Sequence, residues 1–289
     1  MTDSAAVRCQ SVPRRLSNPT SRLGPTLENA SHLLCCLDFD GTLAPIVDDP
    51  ATAVMPQATE RVLDRLGSSR SITVAIVSGR SVTDLRTRVG SPAILVGNHG
   101  LERFDPGPHP PNGQSESNSA GRHAVHPIAA AATPRIETCS GVLETVLDPI
   151  PNATVEHKGL TGTVHDRTVP ESAVPVCRSL TRDVIERVGD DRVVLTEGAR
   201  ILEFRPAIEW DKGDAVGVLE DGHPPGTVLL YCGDDTTDED AFRVLSDDDV
   251  GIRVGDATPS YASFRVDSPQ ALVGSLEWLA DHGPSLLAS

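Results

Sequence analysis

Two hydrophobic patterns alternate along the first hundred residues. Continuous apolar runs occupy residues 31–37 (SHLLCCL), 71–77 (SITVAIV) and 93–97 (AILVG), and a polar segment stops each one. Such runs are typical of buried parallel strands. Between them, residues 57–67 and 81–90 repeat their apolar positions at helical spacing and end on glycine. Strands that alternate with helices predict a parallel α/β sheet covered on both faces, as in a Rossmann-like fold.

The composition changes after residue 104. Residues 105–135 are dense in Pro, Gly, Ser and Asn, which predicts a flexible loop. The pattern then predicts helix, strand, strand, helix, strand, strand, with helices at about 134–149 and 171–188. From residue 208 the chain returns to helices and buried strands. We therefore expect a small α+β domain at 105–207 inserted into a core formed by 31–104 and 208–289.

The first 30 residues are polar and rich in Arg, Ser and Pro, so we expect a disordered tail over residues 1–30. They lack the continuous apolar segment of a secretory signal. The rest of the chain contains no run near the roughly 20 apolar residues that a membrane span needs.

Charge and cysteine content restrict the function further. The 41 acidic residues outnumber the 25 basic ones, and the formal charge of −16 argues against nucleic-acid and membrane partners. The six cysteines show no CxxC spacing, which favours reduced thiols in a cytoplasmic protein. We expect a monomer that acts on a small molecule.

Two polar motifs follow the first two predicted strands. LDFDGT places Asp38 and Asp40 two residues apart, followed by Gly41, which allows a sharp turn. One carboxylate could attack a phosphorus atom while the other exchanges a proton with the leaving oxygen. In VSGR, the Ser78 hydroxyl and the Gly79 amide could hold phosphoryl oxygens. Ligands bind at the carboxyl ends of such strands, so the motifs predict a phosphoryl-transfer site.

Two further motifs lie in the second part of the core. In DKGDA, Lys212 precedes a predicted helix and supplies a compact positive charge for the carboxylates and the transferred group. In CGDDTTDED, acidic side chains at the end of a buried strand could hold Mg²⁺, which prefers carboxylate, water and phosphate oxygens. Each motif is weak alone, but their order along the chain is specific.

Together these motifs resemble the trehalose-6-phosphate phosphatase family of the haloacid dehalogenase superfamily. The resemblance rests on LDFDGTLAPIVDDP, VSGR, GNHGLE, an E-x-K strand, VHDR, LEFRP-x(5)-KGDAV and GDDTTDEDAF, and it covers about residues 33–280. It implies an Mg²⁺-dependent phosphoric monoester hydrolase in trehalose biosynthesis, with a haloacid dehalogenase core and an inserted cap that selects the sugar.

The resemblance also implies roles for the core residues. Asp38 would be the nucleophile that forms an aspartyl-phosphate, and Asp40 the general acid and then the base. Ser78, Gly79 and Lys212 would bind the phosphoryl group, and Arg80 would either anchor its loop or touch the substrate. The implied metal ligands are the Asp38 carboxylate, the Asp40 carbonyl and Asp234, with Asp235 and Asp238 behind them.

In the cap, the resemblance implies a sugar site. Glu156 and Lys158 match the E-x-K pair, Arg167 matches the arginine of the HxR strand and would also touch phosphate, and Glu203 matches the glutamate of an E-x-R-P strand. These two lysines, Lys158 and Lys212, are the only ones in the chain. At the end of the third strand, His99 and Glu102 would contact the substrate or orient the cap.

Three alternatives stay open at this point. The substrate could be another osmolyte sugar phosphate, namely glucosyl- or mannosyl-glycerate phosphate, glucosylglycerol phosphate or sucrose phosphate. The domain could instead be a catalytically silent binding or regulatory domain, although the presence of Asp38, Asp40, Lys212 and Asp234 together argues against it. A phosphomutase fits the extended acidic motif less well than a hydrolase does.

Overall fold

The computed structural model describes residues 9–47, 49–90, 93–107, 121–198 and 200–287. The chain forms two compact units, which are described separately. The larger unit contains the described residues up to His123 and from Trp210 onward, and the smaller unit is Ala124–Glu209. Among the described residues, no helix is both long and apolar enough to cross a membrane.

The larger unit alternates strands and helices. Its first elements are β1 (Arg14–Arg15), α1 (Pro19–Leu27), β2 (His32–Leu37), α2 (Gln57–Gly67), β3 (Ile72–Val77), α3 (Val82–Arg88), β4 (Ile94–Gly97), β5 (Glu102–Asp105) and β6 (Arg122–Val125). Short 3₁₀ turns lie at Pro50–Thr52 and Asn98–Gly100.

The smaller unit follows, with α4 (Pro127–Leu147), β7 (Thr154–His157), β8 (Gly162–His165), α5 (Val174–Val184), β9 (Val193–Gly198) and β10 (Ile201–Pro206). A π-helical turn at Ile185–Gly189 and a 3₁₀ turn at Asp190–Arg192 join α5 to β9. The larger unit then resumes with α6 (Lys212–Asp221), β11 (Thr227–Gly233), α7 (Asp238–Val244), β12 (Val250–Val254), β13 (Phe264–Val266) and α8 (Pro269–Leu286).

The sheet of the larger unit has the strand order β1-β13-β12-β11-β2-β3-β4-β5-β6. The pairs from β1 through β4 are parallel, and β5 pairs antiparallel with β4. The chain leaves β2 toward β3 on one side, while β11 lies on the other side. This reversal of strand order at β2 marks the edge where a parallel sheet binds its ligands.

Both faces of this sheet are covered, which explains the uninterrupted apolar strands. Leu33, Cys35 and Leu37 of β2 pack in one core with residues of α1, α2 and α8. Leu34 and Cys36 point to the other face and pack with residues of α6 and α7. The predicted parallel α/β core is confirmed. Burial on both faces explains why every residue from Leu33 to Leu37 is apolar.

The smaller unit contains an antiparallel sheet in the order β7-β8-β10-β9. One face of this sheet packs on α4 and α5, with Val164, Leu202 and Phe204 fully buried between strands and helices. Gly162 allows the close contact with Phe204, since a Cβ at this glycine would lie 2.1 Å from the ring. The opposite face carries the polar side chains of Glu156, Thr163, Glu203 and Thr196.

Two sequence predictions about disorder differ from the structure. Residues 9–30 of the expected tail contain β1 and α1, and Leu16, Leu23 and Leu27 are buried. Asn18 caps α1 and Pro19 opens it, and this short polar segment forms a helix that packs its two leucines, Leu23 and Leu27. Residues 1–8 lie outside the described part.

The expected loop over residues 105–135 is also shorter than predicted. β6 begins at Arg122, and α4 begins at Pro127 because proline is tolerated at the first helical position and an alanine run follows it. Residues 108–120 of that prediction lie outside the described residues. The chain accordingly divides at residues 123/124 and 209/210, not at the predicted 104/105 and 207/208.

Candidate active site

Asp38 and Asp40 lie directly after β2, at the reversal of strand order. The Asp38 amide donates to the Cys232 carbonyl at 2.9 Å, which joins the loop to the end of β11. Gly41 has a φ of +79°, and a Cβ there would lie 2.1 Å from an Asp234 carboxylate oxygen. This position therefore needs glycine, because the turn brings the DFDGT loop against the acidic loop after β11.

Lys212 lies between two buried carboxylates. It is the first residue of α6, whose start is held by a reciprocal capping box between Asp211 and Asp214. Its Nζ donates to Asp38 Oδ1 at 2.8 Å and to Asp238 Oδ1 at 2.7 Å, and the lysine is only 3% exposed. Burial lowers the pKa of Lys212, but Asp238 and Asp38 outweigh burial and raise the net pKa. The lysine is therefore a fixed cation beside Asp38.

Asp238 is the acceptor that joins this site together. Its Oδ1 accepts from Lys212 and also from the Tyr231 hydroxyl at 2.7 Å. Its Oδ2 accepts from the amides of Asp234 and Asp235 at 2.8 and 3.0 Å. Because four donors occupy both oxygens, Asp238 holds the acidic loop and the lysine in place.

The remaining carboxylates suit a divalent cation. Oxygens of Asp38, Asp234 and Asp238 all lie within 4.8 Å of one another. Burial raises the pKa of Asp38 well above its usual range, and burial together with Asp238 and Asp235 raises the pKa of Asp234 to about 7. A hard cation with oxygen ligands would relieve this crowding. Since four donors occupy the oxygens of Asp238, Asp38 and Asp234 are the carboxylates of this cluster that could hold a metal ion.

Asp235 has a local role in the same loop. Its carboxylate accepts from the Thr237 amide and hydroxyl, each at 2.7 Å, and from the Asp238 amide at 3.3 Å, at the start of α7. Thr42 of the DFDGT loop donates its hydroxyl to Asp234 at 3.2 Å. These hydrogen bonds fix the directions of the two acidic loops.

Ser78 and Gly79 lie at the end of β3, the neighbour of β2. Ser78 is 1% exposed, and its Oγ accepts from the Arg80 amide at 3.2 Å. A Cβ at Gly79 would lie 2.6 Å from Nε2 of His99, so the imidazole packs on this glycine. The structure thus places His99, with a φ of +56°, against the SGR loop.

Arg80 binds the second aspartate of DFDGT. Its Nε and Nη2 donate to the two oxygens of Asp40 at 2.7 Å each, and its Nη1 donates to Asp84 at 2.8 Å. Nη2 also donates to the Pro50 carbonyl at 2.8 Å. The guanidinium lies 5.3 Å from the ring centroid of Phe39. These contacts favour the loop-anchoring alternative over phosphate binding for Arg80.

Glu102 makes hydrogen bonds that hold its own loop, and its role as a substrate contact stays a prediction. It is 7% exposed and accepts from the Val82 amide at 2.9 Å and the Asn98 side chain at 2.6 Å. His123 lies 3.0 Å from its second oxygen. The carboxylate thereby joins the start of α3 to the turn after β4.

The predicted sugar residues of the smaller unit share the polar face of its sheet. Glu156 of β7 lies 2.9 Å from His165 of β8 and 4.0 Å from the ammonium of Lys158. Glu203 of β10 is half-buried on the same face. The Arg167 side chain is exposed just after β8, and its carbonyl accepts from Arg200 at 3.1 Å.

Some polar residues were not predicted from the sequence. Tyr231 lies within an apolar strand, is fully buried, and donates its hydroxyl to Asp238. A tyrosine in a buried strand usually has a hydrogen-bond partner, and this rule could have indicated that Tyr231 contacts the site. Asp166 is fully buried between Arg178, at 2.6 Å, and Arg200, at 3.4 Å. The sequence His165-Asp166-Arg167 alone does not indicate that the Asp166 side chain is buried within the smaller unit.

Comparison with known proteins gives consistent matches. Residues 36–270 match the model of the trehalose-phosphatase family. The trehalose-phosphate phosphatase of Mycobacterium marinum is 35% identical over 242 residues, which cover 80% of this chain and 57% of that protein. The trehalose-phosphate phosphatase B of Arabidopsis thaliana is 34% identical over 258 residues, 86% of this chain and 67% of that protein. This chain thus spans little more than half of the mycobacterial relative.

A solved structure supports the fold. The C-terminal domain of Candida albicans trehalose-6-phosphate phosphatase superimposes with a TM-score of 0.73 at 22% identity, and covers 94% of this chain and 99% of that domain. At this identity the likeness establishes the architecture alone. The predicted haloacid dehalogenase-like α/β fold is therefore confirmed.

Proposed function

The chain belongs to the trehalose-phosphatase family, and on that premise we propose that it hydrolyses trehalose 6-phosphate to trehalose and inorganic phosphate. The observation that carries the proposal is the buried Asp38–Lys212–Asp238 arrangement at the carboxyl ends of β2 and β11. It presents one carboxylate beside a fixed cation at the place where parallel sheets bind ligands.

In the first step, Asp38 is the nucleophile. Its carboxylate oxygen forms a bond to phosphorus while the bond from phosphorus to the sugar oxygen breaks, which leaves an aspartyl-phosphate. Lys212 donates a hydrogen bond to one Asp38 oxygen and neutralises charge at the reacting group. Asp40 gives a proton to the departing sugar oxygen, so trehalose leaves as a neutral alcohol.

In the second step, water hydrolyses the aspartyl-phosphate. Asp40, now a carboxylate, takes a proton from the water as the water oxygen bonds to phosphorus and the Asp38 carboxylate leaves. Arg80 holds both oxygens of Asp40 and thereby sets where this carboxylate lies after β2. The Ser78 hydroxyl and Gly79 amide, at the end of β3, are suited to hold phosphoryl oxygens.

A magnesium ion fits the acidic loops. The ligands would be the carboxylates of Asp38 and Asp234 and the carbonyl of Asp40. The Asp238 carboxylate would support Asp234 by accepting a hydrogen bond from the Asp234 backbone amide. When bound, Mg²⁺ would supply charge neutralisation for the phosphoryl oxygens. The crowded carboxylates and the raised pKa of Asp234 support this assignment.

We propose that the polar face of the smaller unit binds the sugar through Glu156, Lys158 and Glu203, with Arg167 beside it. Carboxylates accept hydrogen bonds from sugar hydroxyls, and the ammonium donates to them.

The five buried free cysteines support a cytoplasmic location, and the monomeric state stays a prediction.

A panel of phosphate esters tests the proposal. Phosphate release is measured with Mg²⁺ on trehalose 6-phosphate, sucrose phosphate, glucosylglycerol phosphate and the glucosyl- and mannosyl-glycerate phosphates. We expect the highest kcat/KM on trehalose 6-phosphate, with loss of activity in EDTA and recovery on adding Mg²⁺. If another ester gave an equal or greater kcat/KM, that ester would be the substrate in place of trehalose 6-phosphate. If no ester released phosphate, the chain would be a regulatory domain.

A further inference from the structure

Four polar side chains form a row across the sheet of the smaller unit. Glu156 of β7 lies directly opposite Thr163 of β8, Thr163 lies opposite Glu203 of β10, and Glu203 lies opposite Thr196 of β9. Directly opposite residues of antiparallel strands project to the same face, with Cβ atoms about 5 Å apart. The row therefore places a hydroxyl between two carboxylates.

This row faces away from the core of the unit. The alternate residues Val164, Leu202 and Phe204 form that core with α4 and α5. Because successive side chains of a strand point to opposite faces, Thr163 is directed away from both helices. Gly162, the residue before it, packs against the Phe204 ring and fixes the backbone of β8 at this point.

Thr163 is the exceptional member of the row. It is 1% exposed, and its buried Oγ1 has no hydrogen-bond partner among the described residues. Glu156, by contrast, is exposed. Buried hydroxyl groups are nearly always paired, since leaving one unpaired is unfavourable. An unpaired hydroxyl between two longer acidic side chains points to a ligand that brings the missing partner.

Building on the proposed function, we infer that Thr163 is a specificity-determining residue that hydrogen-bonds a sugar hydroxyl of the substrate. Glu156 and Glu203 can only accept hydrogen bonds when ionised, whereas the Thr163 hydroxyl can also donate one. A ring with neighbouring hydroxyls can therefore donate to the glutamates and accept from Thr163. The row selects for a polyol, and an ester with an aromatic alcohol lacks these groups.

The test compares Thr163→Val with Thr181→Val. Thr181 is also fully buried, but its hydroxyl donates to the Cys177 carbonyl within α5 at 2.9 Å, so it serves as a matched control. Steady-state kinetics are measured on trehalose 6-phosphate and on p-nitrophenyl phosphate, which has no sugar. Melting temperatures are recorded for each variant, and Thr163→Ser is included because it keeps the hydroxyl.

We expect Thr163→Val to lower kcat/KM on trehalose 6-phosphate about three- to tenfold, mainly through KM, as loss of one neutral hydrogen bond implies. Activity on p-nitrophenyl phosphate should stay unchanged, and Tm should equal or exceed that of the wild type. Thr163→Ser should retain most of the sugar-phosphate activity, and Thr181→Val should not alter the ratio between the two substrates.

Unchanged kcat/KM on the sugar phosphate, or an equal loss on both esters, would overturn the assignment of Thr163. If the wild type prefers another sugar phosphate, the proposed function is wrong, and the same comparison with that ester decides the role of Thr163. If it hydrolyses p-nitrophenyl phosphate and no sugar phosphate, both proposals fail.

Discussion

Asp238→Asn tests how the active-site loops are held. The carboxylate accepts from Lys212 and Tyr231 on one oxygen and from the amides of Asp234 and Asp235 on the other. The asparagine side chain keeps one oxygen as an acceptor, and an NH₂ donor replaces the other carboxylate oxygen. Whichever way the asparagine side chain points, its NH₂ group faces two donors in a site that excludes water.

The expected loss of stability follows from these contacts. Each buried donor left without an acceptor costs about 1–3 kcal/mol. Removing one partner of a buried ion pair costs about 3–5 kcal/mol, and Lys212 keeps only Asp38. The two effects overlap, so we expect the free energy of unfolding to fall by about 3–5 kcal/mol. At about 2–4 °C for each kcal/mol, Tm should fall by roughly 10 °C.

Thermal and urea unfolding provide the assay, with Asp240→Asn as the matched control. Asp240 lies in the same first turn of α7, but its carboxylate forms an ion pair with the half-exposed Arg243 at 2.8 Å. The control should change stability by less than about 1 kcal/mol. If Asp238→Asn is no less stable than Asp240→Asn, Asp238 does not hold Lys212 and the acidic loop in place.

Two further predictions concern Arg80 and His32. Arg80→Lys should lower kcat about ten- to hundredfold with little change in KM, because an ammonium cannot hold both oxygens of Asp40; a rise in KM alone, measured by steady-state kinetics, would favour phosphate binding instead. Burial and the nearby His223 lower the pKa of His32 in the folded protein. As pH drops from about 7 to 5, the unfolded chain therefore binds a proton more readily than the folded protein does, and the free energy of unfolding falls. Urea unfolding across this range should show a smaller fall for His32→Gln, and equal falls would contradict the assignment.

The central strands and their polar ends could be predicted because each is encoded locally. A strand buried on both faces is a continuous apolar run, and the motif that ends it is visible at once. For the same reason the sequence predicts Asp38, Ser78 and Lys212 as members of one site. Their placement follows from the rule that parallel strands direct their carboxyl ends to one edge.

The contacts that set each role depend on distant residues. Glu102 follows the third strand as a functional residue might, yet the antiparallel return of β5 directs it to the amide of Val82, twenty residues earlier. The partner of Asp40 is forty positions away, at Arg80. No local pattern distinguishes a carboxylate that binds backbone amides from one that binds substrate.

The buried leucines near the start of the chain show a different limit. α1 is short and polar, and its sequence resembles a disordered tail. It forms because Leu23 and Leu27 pack in the core that includes residues of α8, some 250 positions later. A helix of this length is marginal alone, so its tertiary contacts decide its existence.

The central claim is that Asp38 is the nucleophile, and Asp38→Asn tests it most directly. The amide oxygen can still accept from Lys212, and burial raises the pKa of Asp38, so replacing this carboxylate removes an unfavourable buried charge. We predict that phosphate release from trehalose 6-phosphate falls by more than about a thousandfold, while Tm stays equal to or above that of the wild type. A variant that keeps substantial turnover, or that loses activity only because it unfolds, would contradict the account.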